Sequence, residues 1–323
     1  MKSYWLVTKD NKATLELRDV PQPQPKAGEL IVRVQASALN RGELIVGSVV
    51  HGGPEKIGGS ELSGTVHAVG EGVTGVKTGD RVMGRARGCW AEFAVMDASQ
   101  VIPMSGHMSW EQAAAFPLSM LTAYEAVATY GKLKAGEWLL IVGASAGAGV
   151  ASLQTAQVLG AKTIGTSGSA KKLEILKGAG LDVGIRTRAP DFSAAVREAT
   201  GGKGADVAVN LVGGTYFPEL LKSLARKGRL AIVGYVDGAH HAEIDLTTVH
   251  ANRIEVFGVS NSRATAEERA EAVRGFKRDI LPAYNERRMA PLVDRVFSFD
   301  EIPAAKAHME ADAMVGKVVV KIA

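Results

Sequence analysis

Between Trp138 and Gly160 the chain runs Trp-Leu-Leu-Ile-Val, turns through Gly143-Ala-Ser-Ala-Gly-Ala-Gly149, and continues with apolar residues at Val150, Leu153, Ala156, Val158 and Leu159. An apolar run, a glycine-rich turn and a helical repeat in that order predict a buried strand, a tight turn and an amphipathic helix. A helix that starts this way aims backbone N–H groups and the positive end of its dipole at whatever lies before it, so the chemistry on offer is the binding of a pyrophosphate. With Gly149 as the third glycine of a G-x-G-x-x-G pattern, the first two places hold Ala144 and Ala146. The context compensates: a second strand starts just after Gly160, the distance expected of a dinucleotide-binding unit. A nicotinamide dinucleotide is therefore expected on Ala144, Ser145, Ala146, Gly147, Ala148 and Gly149.

The next strand ends in Thr166-Ser-Gly-Ser-Ala-Lys-Lys172. Folds specific for NAD place an acid there to bind the ribose diol, and this segment has none. Lys171 and Lys172 instead stand in the first turn of a helix, where the macrodipole disfavours cations and a phosphate would relieve the conflict. NADPH is thus expected over NADH, with Ser167, Lys172 and Arg186 around the 2′-phosphate. The alternative is that both lysines solvate an exposed helix face. Further cofactor contacts are expected where later strands end, at Asn210, Val212 and Gly213, at Gly234 and Tyr235, and at Ser260 and Asn261, because parallel sheets bind ligands at those ends.

Three zones must position these residues. Up to about Met120, short segments such as Leu30–Ala36, Gly64–Val69 and Ala91–Val95 alternate between glycine-rich turns and predict an irregular β-barrel or sandwich. From Leu121 to Ser262, strands at Leu139–Val142, Lys162–Gly165, Val207–Leu211, Leu230–Val233 and Ile254–Val259 alternate with helices, which predicts an α/β, doubly wound parallel sheet. A tail follows with a long helix at Thr265–Arg287, a strand at Leu292–Phe297, a helix at Ile302–Ala311 and a strand at Lys317–Ile322. The tail is too small to fold alone, so its last strand is expected to return to the N-terminal β unit. That gives residues 1–120 with 263–323 as one domain and 121–262 as the other, with the cleft between them as the expected active site. Pro21, Pro23 and Pro25 form a stiff connector.

Of the 323 residues 46% are hydrophobic and 22% charged, an ordinary globular balance. The net charge of +4 arises from 38 basic and 34 acidic residues scattered along the chain, which gives no nucleic-acid-binding arm. Neither a signal peptide nor a membrane span is expected, and one cysteine, Cys89, cannot form an internal disulfide. A cytoplasmic protein is expected.

Through Ser37-Ala-Leu-Asn-Arg-Gly-Glu43, Gly58-Gly-Ser-Glu-Leu-Ser-Gly-Thr-Val66, Val69–Val73, Thr78–Val82, Leu121-Thr-Ala-Tyr-Glu-Ala126, Ala144–Gly149 and Gly316-Lys-Val-Val319, the chain over essentially its whole length resembles the medium-chain dehydrogenase/reductase superfamily, and within it the zinc-free quinone oxidoreductase and enone reductase branch. The resemblance implies a GroES-like β domain completed by the C-terminal tail, joined to a Rossmann domain. The alcohol dehydrogenases of that superfamily hold zinc with cysteine, histidine and cysteine. The corresponding places here are near Asn40, at Ser60 and about Leu118, and the cysteine-rich lobe is missing between Met83 and Gly88, so no metal is expected. A simple ketone accepting hydride wants a Lewis acid. A quinone, enone or enal yields a delocalised anion that hydrogen-bond donors can stabilise, and such an acceptor is the expected substrate.

The resemblance also makes Asn40 the expected polar residue at the reacting centre, with a turn-stabilising role as the alternative. It places Thr122 near the nicotinamide phosphate and lets Lys317 reach the cofactor, unless Lys317 is a plain strand lysine. Leu44, Ile45 and Val46 stand where some members carry a tyrosine, implying an apolar substrate wall and weakening an enoyl-thioester reductase assignment. Cys89 and the four tryptophans are expected to pack, and His51 and His67 to be structural. A homodimer is expected through the Arg253–Val259 strand. Two alternatives stand beside the quinone or enone reductase: an enoyl-thioester or alkenal reductase, and a non-catalytic NADPH-binding protein that acts as a sensor or binds RNA.

Overall fold

The apolar runs after residue 120 form a six-stranded parallel sheet in the computed structural model of the chain, which describes residues 1–9, 12–44 and 55–323. The strands lie in the order Val183–Arg186, Lys162–Ser167, Trp138–Val142, Ala205–Asn210, Leu224–Ile232 and Glu255–Gly258. The chain starts at the central strand, winds to one side and then to the other, so the order reverses beside Trp138–Val142, the place where open α/β sheets bind ligands. Leu139 to Val142 are wholly buried, as a strand covered on both faces requires. Phe192, Val196, Leu220 and Leu221 pack against Leu140, Val142, Ile164, Ala208 and Leu230. This unit spans Met120–Asn261.

Two of its strands depart from the sequence expectation. Val183–Arg186 was not expected, because only Val183 and Ile185 are apolar and the strand is the sheet's outermost. The fifth strand begins at Leu224 rather than Leu230 and runs through Arg226, Lys227 and Gly228. Only its part from Arg229 onward meets the Glu255–Gly258 strand, so its polar first half lies at the sheet margin, where hydropathy is a poor guide.

The second unit joins Met1–Ser119 to Ser262–Ala323. Its hub is the strand Glu29–Ala38, which pairs with Glu61–Val69 along its length, with Phe93–Asp97 at Glu29–Arg33, and with the C-terminal strand Lys317–Lys321 at Ala36–Ala38. Register shifts after Ile31 and Val34 mark irregularities that bend and twist such a hub. Val293–Ser298 extends the same mixed sheet beyond Lys317–Lys321, and a separate three-stranded sheet orders Lys12–Asp19, Lys2–Lys9 and Glu55–Ile57. The tail belongs to this core: Phe297, Ile302, Met309, Val318 and Val320 pack with Tyr4, Leu6, Leu39 and Trp90.

The long helix expected over Thr265–Arg287 is divided. Thr265 and Glu268 form a capping box for Ala266–Asp279, and a second helix, Leu281–Asn285, follows Ile280. Pro282 explains the break, since it supplies no N–H and its ring collides with the carbonyl one turn earlier. The break leaves Phe276 and Tyr284 edge-on to Phe116, with ring centres 5.2 and 4.1 Å away. Among the described residues no helix is long and apolar enough to cross a membrane.

Candidate active site

In the parallel-sheet unit, Gly143 takes φ +85° directly after the central strand, which turns the chain at no steric cost. The helix Gly147–Val158 then starts at an extended Ala146 that caps it with no side chain. A Cβ on Gly149 would lie 2.6 Å from the carbonyl oxygen of Ala144 and 2.7 Å from that of Gly143, so only glycine lets the helix seat on the turn. Ala144 replaces a glycine of the common pattern because its neighbour yields: a Cβ on Gly165 would meet the Ala144 methyl at 2.8 Å. Ser145, Ala146, Gly147 and Ala148 stay partly accessible. An uncapped helix start behind a glycine turn fits a dinucleotide pyrophosphate.

At the end of the neighbouring strand, Ser167 is in register with Arg186, and Ser169 caps the helix that carries Lys171 and Lys172. The structure adds a residue the sequence reading missed. Arg188 lies across Gly168, where an added Cβ would meet the arginine Cγ at 2.5 Å and Nε at 2.7 Å. Ser167, Lys172, Arg186 and Arg188 thus border one strand-to-helix turn. Arg188 was overlooked because it follows the unexpected strand Val183–Arg186.

The remaining strand ends divide by role. Asn210 is buried, and its side chain accepts from the N–H groups of Val212 and Gly213 at 3.0 Å and donates to the Gly213 carbonyl at 2.9 Å. It shapes the turn through Val212 and Gly213. Gly234 donates to the Asn210 carbonyl at 3.2 Å. Tyr235 is 49% exposed beside His240. Thr122 and Asn261, 139 residues apart, are joined by a 2.6 Å bond from the Asn261 amide to the threonine hydroxyl, and Ser260 precedes Asn261 at that same strand end.

The β unit holds a buried polar cluster. Glu61 is wholly buried; its Oε1 accepts from Lys317 Nζ and from Asn40 Nδ2, both at 2.7 Å, and its Oε2 accepts from the Leu118 N–H at 2.7 Å. Lys317 also donates to Asn40 Oδ1 at 2.6 Å and the Leu39 carbonyl at 2.9 Å. Three acceptors use all three ammonium protons, so in this arrangement Lys317 holds the cluster and has no donor left for a cofactor. Asn40 is equally committed, because its second amide proton goes to Glu43 Oε1 at 2.6 Å. The expected donation from Asn40 to a substrate carbonyl therefore lacks a free proton, and Asn40 instead orients the two carboxyls.

Glu43 and Ser60 complete the cluster; with Glu61 they stand within the anchor segments quoted above, which assign them no part in a polar cluster. Asn40 and Glu43 sit three apart across the turn Arg41–Leu44, and Ser60 Oγ donates to Glu43 Oε1 at 2.6 Å. Burial pushes the Glu43 carboxyl up to about 7, against the pull of the Ser60 and Asn40 hydrogen bonds; the Glu61 charge adds to the rise and Lys317 opposes it. Glu43 Oε2 is buried with no hydrogen-bond partner among the described residues. A visible signal was Glu61, the one acid of the strand Glu61–Val69. Its cation lies 256 residues away, which no local pattern announces.

Leu44 packs in the core with Leu39 and Trp90, so it is no substrate wall; Ile45, Val46 and His51 lie outside the described residues. His67 is exposed against Phe93. Cys89 is buried, and burial pushes its thiol up, as the charges of Glu43 and Glu61 also do. Among the described residues no three His, Cys, Asp or Glu side chains gather as metal ligands. The places of the alcohol dehydrogenase zinc ligands offer an amide, a hydroxyl and a hydrocarbon, and the first two are bound into the cluster, so zinc does not fit this donor set.

The alcohol dehydrogenase GroES-like domain model matches residues 26–106 and the zinc-binding dehydrogenase model residues 147–277. Quinone oxidoreductase of Rattus norvegicus is 33% identical over 168 residues, 50% of this chain and 51% of its own. Among solved structures, mycobacterial Rv1454c complexed with NADPH is 29% identical with a TM-score of 0.87 and 100% of both chains covered. The CurK enoyl reductase is 26% identical with a TM-score of 0.84, covering 99% of this chain and 100% of that one. The chain spans about half the length of the rat protein, and only 8% and 9% of two polyketide synthase proteins that it also matches. With both models matched, this chain belongs to the medium-chain dehydrogenase/reductase superfamily, and it is similar to quinone oxidoreductases and enoyl reductases.

Proposed function

We propose that this protein is an NADPH-dependent reductase of quinones or α,β-unsaturated carbonyls that works without a metal. The observation that carries the reading is the strand-to-helix turn at Ser167–Lys172, where hydroxyls and the cations Lys172, Arg186 and Arg188 stand in place of a ribose-binding acid. Guanidinium and ammonium groups there suit a 2′-phosphate, with charge-assisted bonds about twice as strong as neutral ones. The first-turn N–H groups of Gly147–Val158 hold the pyrophosphate, and Thr122, Asn261, Gly234 and the turn built by Asn210 border the rest of the dinucleotide. When bound, the reduced nicotinamide supplies a hydride. The chain's own task is to position and to stabilise charge, and in the cluster Lys317 is a fixed cation beside two carboxyls.

The likeness to the CurK enoyl reductase keeps an enoyl-thioester or alkenal reductase as the second reading. Assays of NADPH consumption with 1,4-benzoquinones, short enones and acyl thioesters separate the two. Turnover of quinones or enones well above thioesters is expected, and the reverse order would favour the second reading. NADPH binding with no turnover on the whole panel would favour a sensor. We also propose a homodimer through Glu255–Gly258, which ends the sheet with Val256 42% exposed. Val256→Lys is expected to convert a dimer into a monomer by light scattering. A reducing cytoplasm suits a chain whose single cysteine is a buried thiol.

A further inference from the structure

Arg188 is exposed, and among the described residues it enters no ion pair. A long side chain in that position normally moves among many rotamers, yet here its stem lies in the space that Gly168 leaves by having no Cβ. Its backbone is held too. The Tyr216 hydroxyl, 28 residues further along the chain, donates to the Arg188 carbonyl at 2.9 Å. On the other side of Arg188, the Thr187 N–H donates to the Ser167 carbonyl at 3.1 Å and the Thr187 hydroxyl to Asp191 at 2.6 Å.

Tyr216 is itself fixed from three directions, all within Met120–Asn261. Its ring stacks on that of buried Phe192, with centres 6.2 Å apart and planes 15° from parallel. It closes the short turn Gly214–Tyr216, which follows the turn that Asn210 builds. Asp237 pins that segment by accepting from the Thr215 N–H and the Ala239 N–H, both at 2.9 Å, and it can do so because a Cβ on Gly213 would collide with its carboxylate. Burial, and after it the charges of Asp237 and Asp191, pushes the Tyr216 phenol up. The hydroxyl therefore keeps its proton at neutral pH and stays a donor.

We propose that Tyr216 is a positioning residue for the nucleotide: its hydroxyl sets the Arg188 backbone so that the guanidinium lies over Gly168, where it selects a dinucleotide with a 2′-phosphate over one with a bare ribose. The inference rests on the NADPH reading above. Tyr216 needs no contact with the nucleotide in this role. It removes freedom that Arg188 would otherwise lose on binding, and a binding group ordered in advance gains affinity by that saving. Selection at the ribose is then set in part by a neighbouring strand end, through Asn210, Gly213 and Asp237.

Calorimetric titration of the full-length protein with NADP+ and NAD+, which bind without turnover, tests this. The wild type is expected to prefer NADP+. Tyr216→Phe keeps the ring on Phe192 and removes only the hydroxyl, so NADP+ affinity is expected to fall about three- to tenfold while NAD+ affinity stays within about twofold. Gly168→Ala, which displaces Arg188 from its other side, is expected to lower the same ratio. In an Arg188→Ala background, Tyr216→Phe is expected to change the ratio no further, as for two residues that act through one another. In turnover the loss is expected in KM for NADPH and not in kcat. A folded Tyr216→Phe protein that keeps the full preference, that loses both affinities equally, or that lowers the ratio as much without Arg188 overturns the positioning role alone. A wild type that binds NAD+ as tightly as NADP+ overturns the NADPH reading and the role of Tyr216 together, so the two failures are distinct.

Discussion

The glycine turn and the carboxyl cluster are built from opposite materials. The turn works through backbone: Gly143, Ala146 and Gly149 set directions for N–H groups, and all lie within seven residues of one another on the chain. The cluster works through side chains drawn from Asn40, Glu43, Ser60, Glu61 and Lys317, whose longest link spans 277 residues. A backbone site tolerates changes of side chain that respect its space, as Ala144 against Gly165 shows. A buried ionic site tolerates almost none, because each charge removed strands another.

That contrast can be broken most severely at Gly149. Gly149→Val places side-chain atoms on the carbonyls of Gly143 and Ala144, so calorimetry is expected to find no NADPH binding up to near-millimolar concentrations, a loss of roughly 3 kcal/mol or more. A comparable blow to the cluster is Lys317→Met, which leaves Glu61 buried without its cation. Chemical denaturation is expected to show a loss of about 3–5 kcal/mol, and Glu61→Leu added to it to recover a part, since an uncharged pair restores balance.

A pH series sharpens the difference, because only the cluster contains an acid whose folded-state titration is raised to about 7. Between the ordinary glutamate range and neutrality the folded state binds more protons than the unfolded one, so this group makes stability fall as pH rises through that window and then level off. The drop is on the order of a few kcal/mol, and Glu43→Gln is expected to flatten it in urea melts from about pH 4 to 8. The smallest effects belong to the ribose end of the nucleotide site. Arg188→Ala or Lys172→Glu is expected to lower the NADPH-to-NADH ratio of kcat/KM by about tenfold or more, the worth of a charged hydrogen bond. An unchanged ratio in both variants would remove the phosphate assignment.

The same contrast explains what could be read from the chain. Hydropathy and glycine spacing marked Trp138–Val142, the turn and the helix after it, and composition separated the β zone from the alternating one. Family anchors were legible at Asn40–Glu43 and Ser60–Glu61, but their bonds were not. Polar strand segments such as Arg226–Gly228 escaped notice because they lie at a sheet margin, and the Pro282 break because a long amphipathic repeat outweighed a single residue.

By itself the amino-acid order determined the two architectures, the nucleotide turn and the absence of an acid after the second strand of the parallel sheet, since all of these depend on neighbours within one or two elements. Only the tertiary structure decided that Lys317 is a buried counter-ion, that Asn40 has no proton to spare, that Asn210 builds a turn and that Arg188 lies on Gly168. Those outcomes depend on which distant side chains share a desolvated space, and the free energy of a charge there is set by partners that the local sequence does not contain.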